Sequence, residues 1–468
     1  MSLYSTLIER TIWPLVLRRE NRHSALTHWR FLEKSQYWPR ERLLEYQTDK
    51  LRQLLAHAYK HCPYYTRIMD ERGLTPESFK SLDDLALLPV LTKDLVYDNN
   101  EGIVSTSYHR ADLRNYATGG TTGQQMHLFI DNESYNIKLA SEWRCGQWMG
   151  MSPCDKLAIL WPAAMDFDES PKLRTRIKDR YIGRKLVIHI GAASQSQMHE
   201  FYKEINGFRP RFLKTFPAPM VEWLDYLKEK ELPIPRVKAI MSTGEPLYDE
   251  MRAYMEQTFG CPVYDMYGSR ELGHTASQCS ERDGLHIAME TSIVEFLENG
   301  RPVRPGEQGE IFITDLTNYA FPMIRYAIND YGRAIEEPCV CGRGLARMST
   351  GVGRVQDFFL DASGRRHAAI VLAVHTTSDL GHRIGQMQII QRSLLDFLVR
   401  IARKPEPTQE TFRFITERMK KMIGESINVQ FEVVDRIPQE RSGKTRFFIC
   451  QVRPSSPSAQ PRREAVDG

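Results

Sequence analysis

Long hydrophobic runs are missing from this 468-residue sequence. None approaches the roughly eighteen apolar residues that a membrane-spanning helix needs, so an integral membrane protein is not expected. The stretch "LIERTIWPLVLRREN" near the start has only a short apolar centre, bracketed by Glu9, Arg10, Arg18 and Arg19, and no cleavage pattern follows it. It does not read as a signal peptide and is expected to pack on the body of the protein, lying on a membrane surface being the alternative. An excess of one charge is missing too: 63 basic residues face 59 acidic ones, for a net charge of +4. That balance argues against a dedicated nucleic-acid binder, which would carry a basic stripe. Cysteine is sparse, eight in the whole chain, and without a secretion signal this points to a reducing compartment, the cytoplasm. Internal repeats are absent.

Two familiar phosphate-binding signatures are also lacking. The stretch Thr118, Gly119, Gly120, Thr121, Thr122, Gly123 is followed by Gln124 and Gln125, not by the Lys-Ser/Thr of a Walker A loop. The next run, Met126 to Ile130, reads as a strand, whereas a dinucleotide fingerprint opens a helix. Backbone this bare still suits a phosphate, because N–H groups can converge and threonine hydroxyls add donors. A β-hairpin with a flexible tip fits these residues equally.

What is present is an alternation of strand and helix. Leu43, Leu44, Leu51, Leu54, Leu55 and Ala58 recur at helical spacing up to Pro63. A helix is expected over 134–151, then the buried strand "DKLAILWP", a helix from "PAPMVEWL", the strand "VKAIMSTG", the helix "DEMRAYMEQTFG" and the strand "PVYDMYG". Such alternation indicates an α/β fold with a mainly parallel sheet, whose ligands bind beyond the carboxyl ends of the strands. From 290 to 350 the pattern turns to strand, turn, strand. The expected architecture is a large multilayer domain over 1–352 with mainly parallel sheets and a β-rich segment. A small α+β domain follows over 353–453, then a Pro/Ser-rich tail, 454–468, expected to be disordered.

Four further clusters follow the threonine-glycine loop. "MSTGEPL" is a glycine turn after a strand. "DMYGSRELG" carries an aromatic and a carboxylate, suited to a purine face and to Mg²⁺. "YAFPMIRYAINDYGR" places Asp330 in an expected turn after a strand. "IPQERSGKTR" presents Lys444 on a glycine-bearing loop. In this order, with "GRVQD" at the domain boundary, the series resembles the adenylate-forming superfamily of acyl-CoA synthetases, adenylation domains and luciferases. "AYKHCPYYTRIMDERGL", "NYAFPMIRYAINDYG" and "CVCGRG" resemble the phenylacetate–CoA ligase-like family, especially its capsular-polysaccharide-biosynthesis branch. The resemblance spans about residues 40 to 452.

The resemblance implies an AMP-forming acid–thiol ligase using ATP, Mg²⁺ and CoA on a carboxylate, with no nucleic-acid partner. The 118–123 loop would close over the β- and γ-phosphates. Ser242, Thr243, Gly244 and Glu245 would line the adenine side, with Asp265, Met266, Tyr267 and Gly268 beside them and Tyr267 stacking near the base. Asp330 and Arg354 would hold the ribose. Glu271 would bind Mg²⁺, and Arg270 and Lys444 would act on the reacting phosphate and carboxylate. A carboxylate must meet an anionic α-phosphate, so the site needs cations aimed at developing charge rather than a protein nucleophile. Trp161, Phe216 and Pro217 suggest an aromatic or apolar acid. Departures from the pattern are Gly119 in place of serine, no lysine after the loop, Arg270 in place of threonine, and Gln356 at the hinge position. The missing lysine weakens the expected grip on pyrophosphate. An amine or a carrier protein as acyl acceptor, or a non-catalytic nucleotide-binding interaction protein, are the alternatives, and a homodimer is left open.

Cys279, His286, Cys339 and Cys341 make a complete three-thiolate, one-imidazole set for structural Zn²⁺, with no open position for water. Four unrelated residues would give the same spacing; some members of the family carry such a cluster. The remaining cysteines, 62, 145, 154, 261 and 450, read as buried thiols.

Overall fold

The computed structural model describes residues 11, 13–118, 126–161, 179–190, 195–349, 358–361, 366–368, 387–402, 406–437 and 447–452. Up to Ser349 they form one compact unit, and from Phe358 onward a second.

The first unit opens with helices. Trp13–Arg19 buries Leu17 and sets Trp13 against Trp143, ring centroids 4.9 Å apart, so the described part of the N-terminal stretch packs on the body as expected. The helix Arg40–His61 buries Leu43, Gln47, Leu51, Leu54, Leu55 and Ala58, one stripe at three- and four-residue spacing. It stops at Cys62, which is extended (φ −120°, ψ 102°) as the residue before a proline must be, and Pro63 opens the next helix.

The central sheet has nine strands. Its parallel half contains β3 (Leu157–Trp161), β4 (Lys185–His189), β5 (Phe212–Thr215), β6 (Ala239–Thr243) and β7 (Val263–Ser269), in the order β4-β3-β5-β6-β7. The helices Pro217–Glu229 and Asp249–Phe259 connect the strands from β5 to β7. All five residues of β6 are buried, as befits a strand covered on both faces. Beyond β7 the sheet turns antiparallel through β8 (Gly273–Ser277), β9 (Leu285–Ile287), β15 (Arg347–Met348) and β14 (Ala334–Ile335).

A second, antiparallel sheet runs β11-β10-β12-β13, with β10 Ser292–Glu298, β11 Arg301–Pro302, β12 Gly309–Asp315 and β13 Tyr326–Gly332. The bare loop joins β1 (Arg114–Thr118) to β2 (Met126–Ile130), an antiparallel pair in which Thr118 faces Met126. The second unit is α+β: β20-β19-β18-β21 (Asn428–Val434, Asp396–Ala402, Met387–Gln391, Phe448–Cys450), the helix Gln409–Ile423 capped by Thr408, and the hairpin β16–β17 (Phe358–Leu360, Arg366–Ala368).

One ion pair lies at the centre of the first unit. Arg144, on the helix Asn132–Trp148, donates to Glu290 Oε1 at 2.7 Å, and both side chains are 0 % exposed. The Ser35 hydroxyl donates to the same oxygen, which brings the helix Ser24–Ser35 into the contact. Glu290→Ala strands a buried guanidinium and is expected to cost about 3–5 kcal/mol. A urea melt reads this as a lower midpoint. Replacing both residues by apolar ones of similar volume should recover most of the loss.

Candidate active site and metal centre

The carboxyl ends of β6 and β7 lie side by side, Thr243 opposite Met266. Ser242, Thr243, Asp265 and Met266 are buried beneath this edge, and the Ser242 hydroxyl finds no partner among the described residues. Burial pushes the Asp265 carboxyl up to about 7, against the pull of Arg252. Gly244, Glu245, Tyr267, Gly268, Arg270, Glu271 and Asp330 are partly exposed. Gly244 has φ +82°, and a Cβ there would sit 2.3 Å from the Phe216 ring. That ring in turn meets Trp161 edge-on, 4.7 Å between centroids. An aromatic wall therefore rests directly on backbone.

Asp330 is not in a turn after a strand, as the residues suggest; it lies within β13. Pairing with β12 slips between Glu310 and Phe312, a β-bulge that leaves Ile328, Asn329 and Asp330 out of register, and Asn329 takes φ +61°. The Asn-Asp turn chemistry is spent on the bulge, which re-aims Asp330. Its Oδ2 accepts a hydrogen bond from the Tyr267 hydroxyl at 2.8 Å. Burial, then the Asp330 charge, holds that phenol well above its usual range, so it stays protonated and donates. The structure thus joins two motifs 63 residues apart in the chain.

A cavity of about 220 Å³ adjoins Arg270 and Glu271. Its wall includes Lys138, Glu142, His274, Asn318 and Phe321, none of which carries a sequence signal, because a helix, a strand and a loop far apart in the chain supply them. Lys214 pairs with Glu142 at 2.5 Å and pulls its carboxyl down to about 2. Burial, reinforced by the Arg144 charge, holds His274 neutral, down to about 3. Its ring nitrogens lie 3.1 Å from the Ser141 hydroxyl and 2.8 Å from that of Ser277.

The four predicted metal ligands do meet. One donor atom from each of Cys279, His286, Cys339 and Cys341 lies within 4.8 Å of all the others. Cys279 Sγ and Cys339 Sγ are 3.8 Å apart, and Cys341 Sγ is 3.3 Å from His286 Nε2. Metal–sulfur bonds of about 2.3 Å at tetrahedral angles place two sulfurs about 3.8 Å apart, so the donors fit a tetrahedral ion. Burial lowers His286 to about 4, leaving the neutral ring that ligates. Gln36 Oε1 accepts from both Trp148 Nε1 and Arg343 Nε, tying the cysteine loop to two helices. Of the other cysteines, 62, 145 and 154 are buried as expected, while Cys261 and Cys450 are only half-buried.

Some expected site residues cannot be placed. Gly119, Gly120, Thr121, Thr122, Gly123, Arg354 and Lys444 lie outside the described residues, as do the hinge residue Gln356 and the tail. Of Thr118, only its place at the end of β1 is described.

Comparison with known proteins bears on this geometry. Residues 116–317 match the AMP-binding enzyme family, and residues 365–451 match the CapK C-terminal domain. The phenylacetate-coenzyme A ligase of Escherichia coli (strain K12) is 25 % identical over 427 residues, covering 86 % of this chain and 93 % of that protein. Protein CapK of Staphylococcus aureus is 22 % identical over 421 residues, covering 88 % and 90 %. A crystal structure of 2-hydroxyisobutyryl-CoA ligase in the postadenylation state shares the fold, with a TM-score of 0.74 at 20 % identity over 89 % of this chain and 91 % of that one. Together these matches support an adenylate-forming enzyme of the phenylacetate–CoA ligase-like, CapK-containing kind, an AMP-forming acid–CoA ligase.

Proposed function

We propose that the protein activates an aromatic or apolar carboxylic acid with ATP and hands the acyl group to CoA. A carboxylate oxygen attacks the α-phosphorus and pyrophosphate leaves. The CoA thiolate then attacks the acyl carbonyl and AMP leaves. The observation that carries this reading is the Tyr267–Asp330 hydrogen bond, which fastens a carboxylate beside the strand-end glycine turns next to Glu271. Asp330 would accept from the ribose hydroxyls, and Tyr267 orients it. Mg²⁺ held by Glu271 would neutralise phosphate charge, since that ion favours carboxylate and phosphate oxygens. Arg270 would add a permanent positive charge beside it for the α-phosphate. The Trp161–Phe216 pair over Gly244 supports an apolar acyl group. We further read the Cys279, His286, Cys339, Cys341 cluster as structural Zn²⁺, holding β9 to the loop that precedes β15.

Pyrophosphate release from ATP, measured across a panel of aryl and fatty acids with and without CoA, tests the reaction. Pyrophosphate release that no acid in the panel increases would refute it, and turnover of acyl-AMP to a product other than a thioester would move the acceptor to another nucleophile.

Lys444 separates the half-reactions. Its ammonium would neutralise charge between carboxylate and α-phosphate, and loss of one such preorganised donor costs about 2.7–4 kcal/mol, a hundred- to a thousandfold in rate. Lys444→Ala is expected to abolish acyl-AMP formation yet still convert supplied acyl-AMP to thioester. Equal loss of both steps in a folded variant would contradict the assignment.

For the metal, elemental analysis of protein never exposed to chelator should find zinc. Cys339→Ser should lower that content and the melting temperature together, because a closed thiolate site contributes folding free energy. Zinc-free wild-type protein would end the idea.

A further inference from the structure

The leaving group of the proposed reaction is pyrophosphate, and the loop expected to hold it contains no basic residue between Thr118 and Gln125. The cavity beside the β1–β2 hairpin does hold cations. Tyr116, from the hairpin's first strand, and Leu128, its partner in the second, line it together with Arg270 and Lys138. At about 220 Å³ it far exceeds the ~10–15 Å³ that admits a single water.

Lys138 is held in a built position. Its side chain is 15 % exposed, and its ammonium pairs at 2.6 Å with Asp315, which is 2 % exposed. Its stem crosses Gly273, where φ is +78° and a Cβ would come within 3.2 Å of the lysine Cδ. Glycine at 273 therefore leaves the channel in which the lysine lies. An ammonium has three donors, and the contact with Asp315 is a charge pair that engages at most one of them. Asp315 itself is fixed by the backbone N–H and hydroxyl of Thr317, both donating to Oδ1.

The carboxylates on the same wall decide which anion fits. Glu142 is already neutralised by Lys214. Glu271 is the carboxylate assigned above to Mg²⁺. A free phosphate would be repelled by Glu271, whereas a magnesium-bound diphosphate brings the cation that a carboxylate prefers. Leu128, Phe129 and Phe321 complete the wall and keep the local dielectric low, which strengthens charge–charge attraction.

We propose that this cavity binds the departing magnesium pyrophosphate, and that Lys138, anchored by Asp315, supplies the ammonium donors that the glycine-threonine loop lacks. The inference rests on the ligase reading above.

The test measures the affinities of magnesium pyrophosphate and of AMP separately, by calorimetry, on full-length wild-type, Lys138→Gln and Lys138→Arg proteins. Lys138→Gln is expected to weaken pyrophosphate binding at least tenfold while AMP affinity stays within twofold, and Lys138→Arg should restore much of the loss. Unchanged pyrophosphate affinity in Lys138→Gln, or an equal loss of both ligands, overturns the proposal; the second outcome would make Lys138 a purely structural partner of Asp315. Wild-type protein that binds neither AMP nor ATP would instead refute the ligase reading on which the proposal stands.

Discussion

The Arg144–Glu290 ion pair is the constraint on which the first unit depends. A charge removed from water at this depth is tolerable only against an opposite charge with hydrogen bonds to match. The helix Asn132–Trp148 is buried on most of its circumference. Apolar contacts alone would allow such a helix to rotate or slip with modest loss, but a guanidinium that must reach one carboxylate allows neither. The same helix presents Lys138 and Glu142 to the cavity, one turn apart, and sets Trp148 edge-on to His286 with ring centroids 5.6 Å apart. Fixing Arg144 therefore fixes the cavity wall and one side of the Cys/His cluster at once.

A metal held by Cys279, His286, Cys339 and Cys341 would extend that constraint along the chain. Cys279 follows β8, which begins two residues after Glu271, and His286 lies on β9. An ion bridging these to Cys339 and Cys341 would hold the antiparallel half of the sheet in register where it has few strand residues to do so. β9, β14 and β15 have only three, two and two residues. Short strands give little pairing energy, and a four-ligand closure would supply what they lack.

Much of this was legible in the sequence. The parallel strands announce themselves as short apolar runs that end in small-residue turns, because burial on both faces leaves no room for alternation. The cysteine set is readable because ligand chemistry restricts residue type and number. Asp330 stood out as a candidate but not in its setting: Asn-Asp promotes a left-handed backbone, and that conformation serves a turn or a bulge equally. Lys138, His274 and Asn318 were not legible at all. Each is an ordinary residue on its own element, and only the crossing of a helix, a sheet edge and a hairpin gathers them. The helical bounds moved by a few residues for a similar reason, since Asp131 caps the helix from Asn132 through its own carboxylate.

The contact between Gly244 and Phe216 limits how this lineage can change its diet. Whatever acid meets that wall, the surface behind the ring is main chain, and main chain does not mutate. Any side chain at 244 must both displace the ring and accept a backbone conformation that L-residues rarely adopt, so variation there is closed by two independent barriers. Drift in substrate range would have to pass through Trp161 and the ring itself. If the wall borders the acyl group as proposed, new specificities arise by reshaping its mouth while its floor stays unchanged.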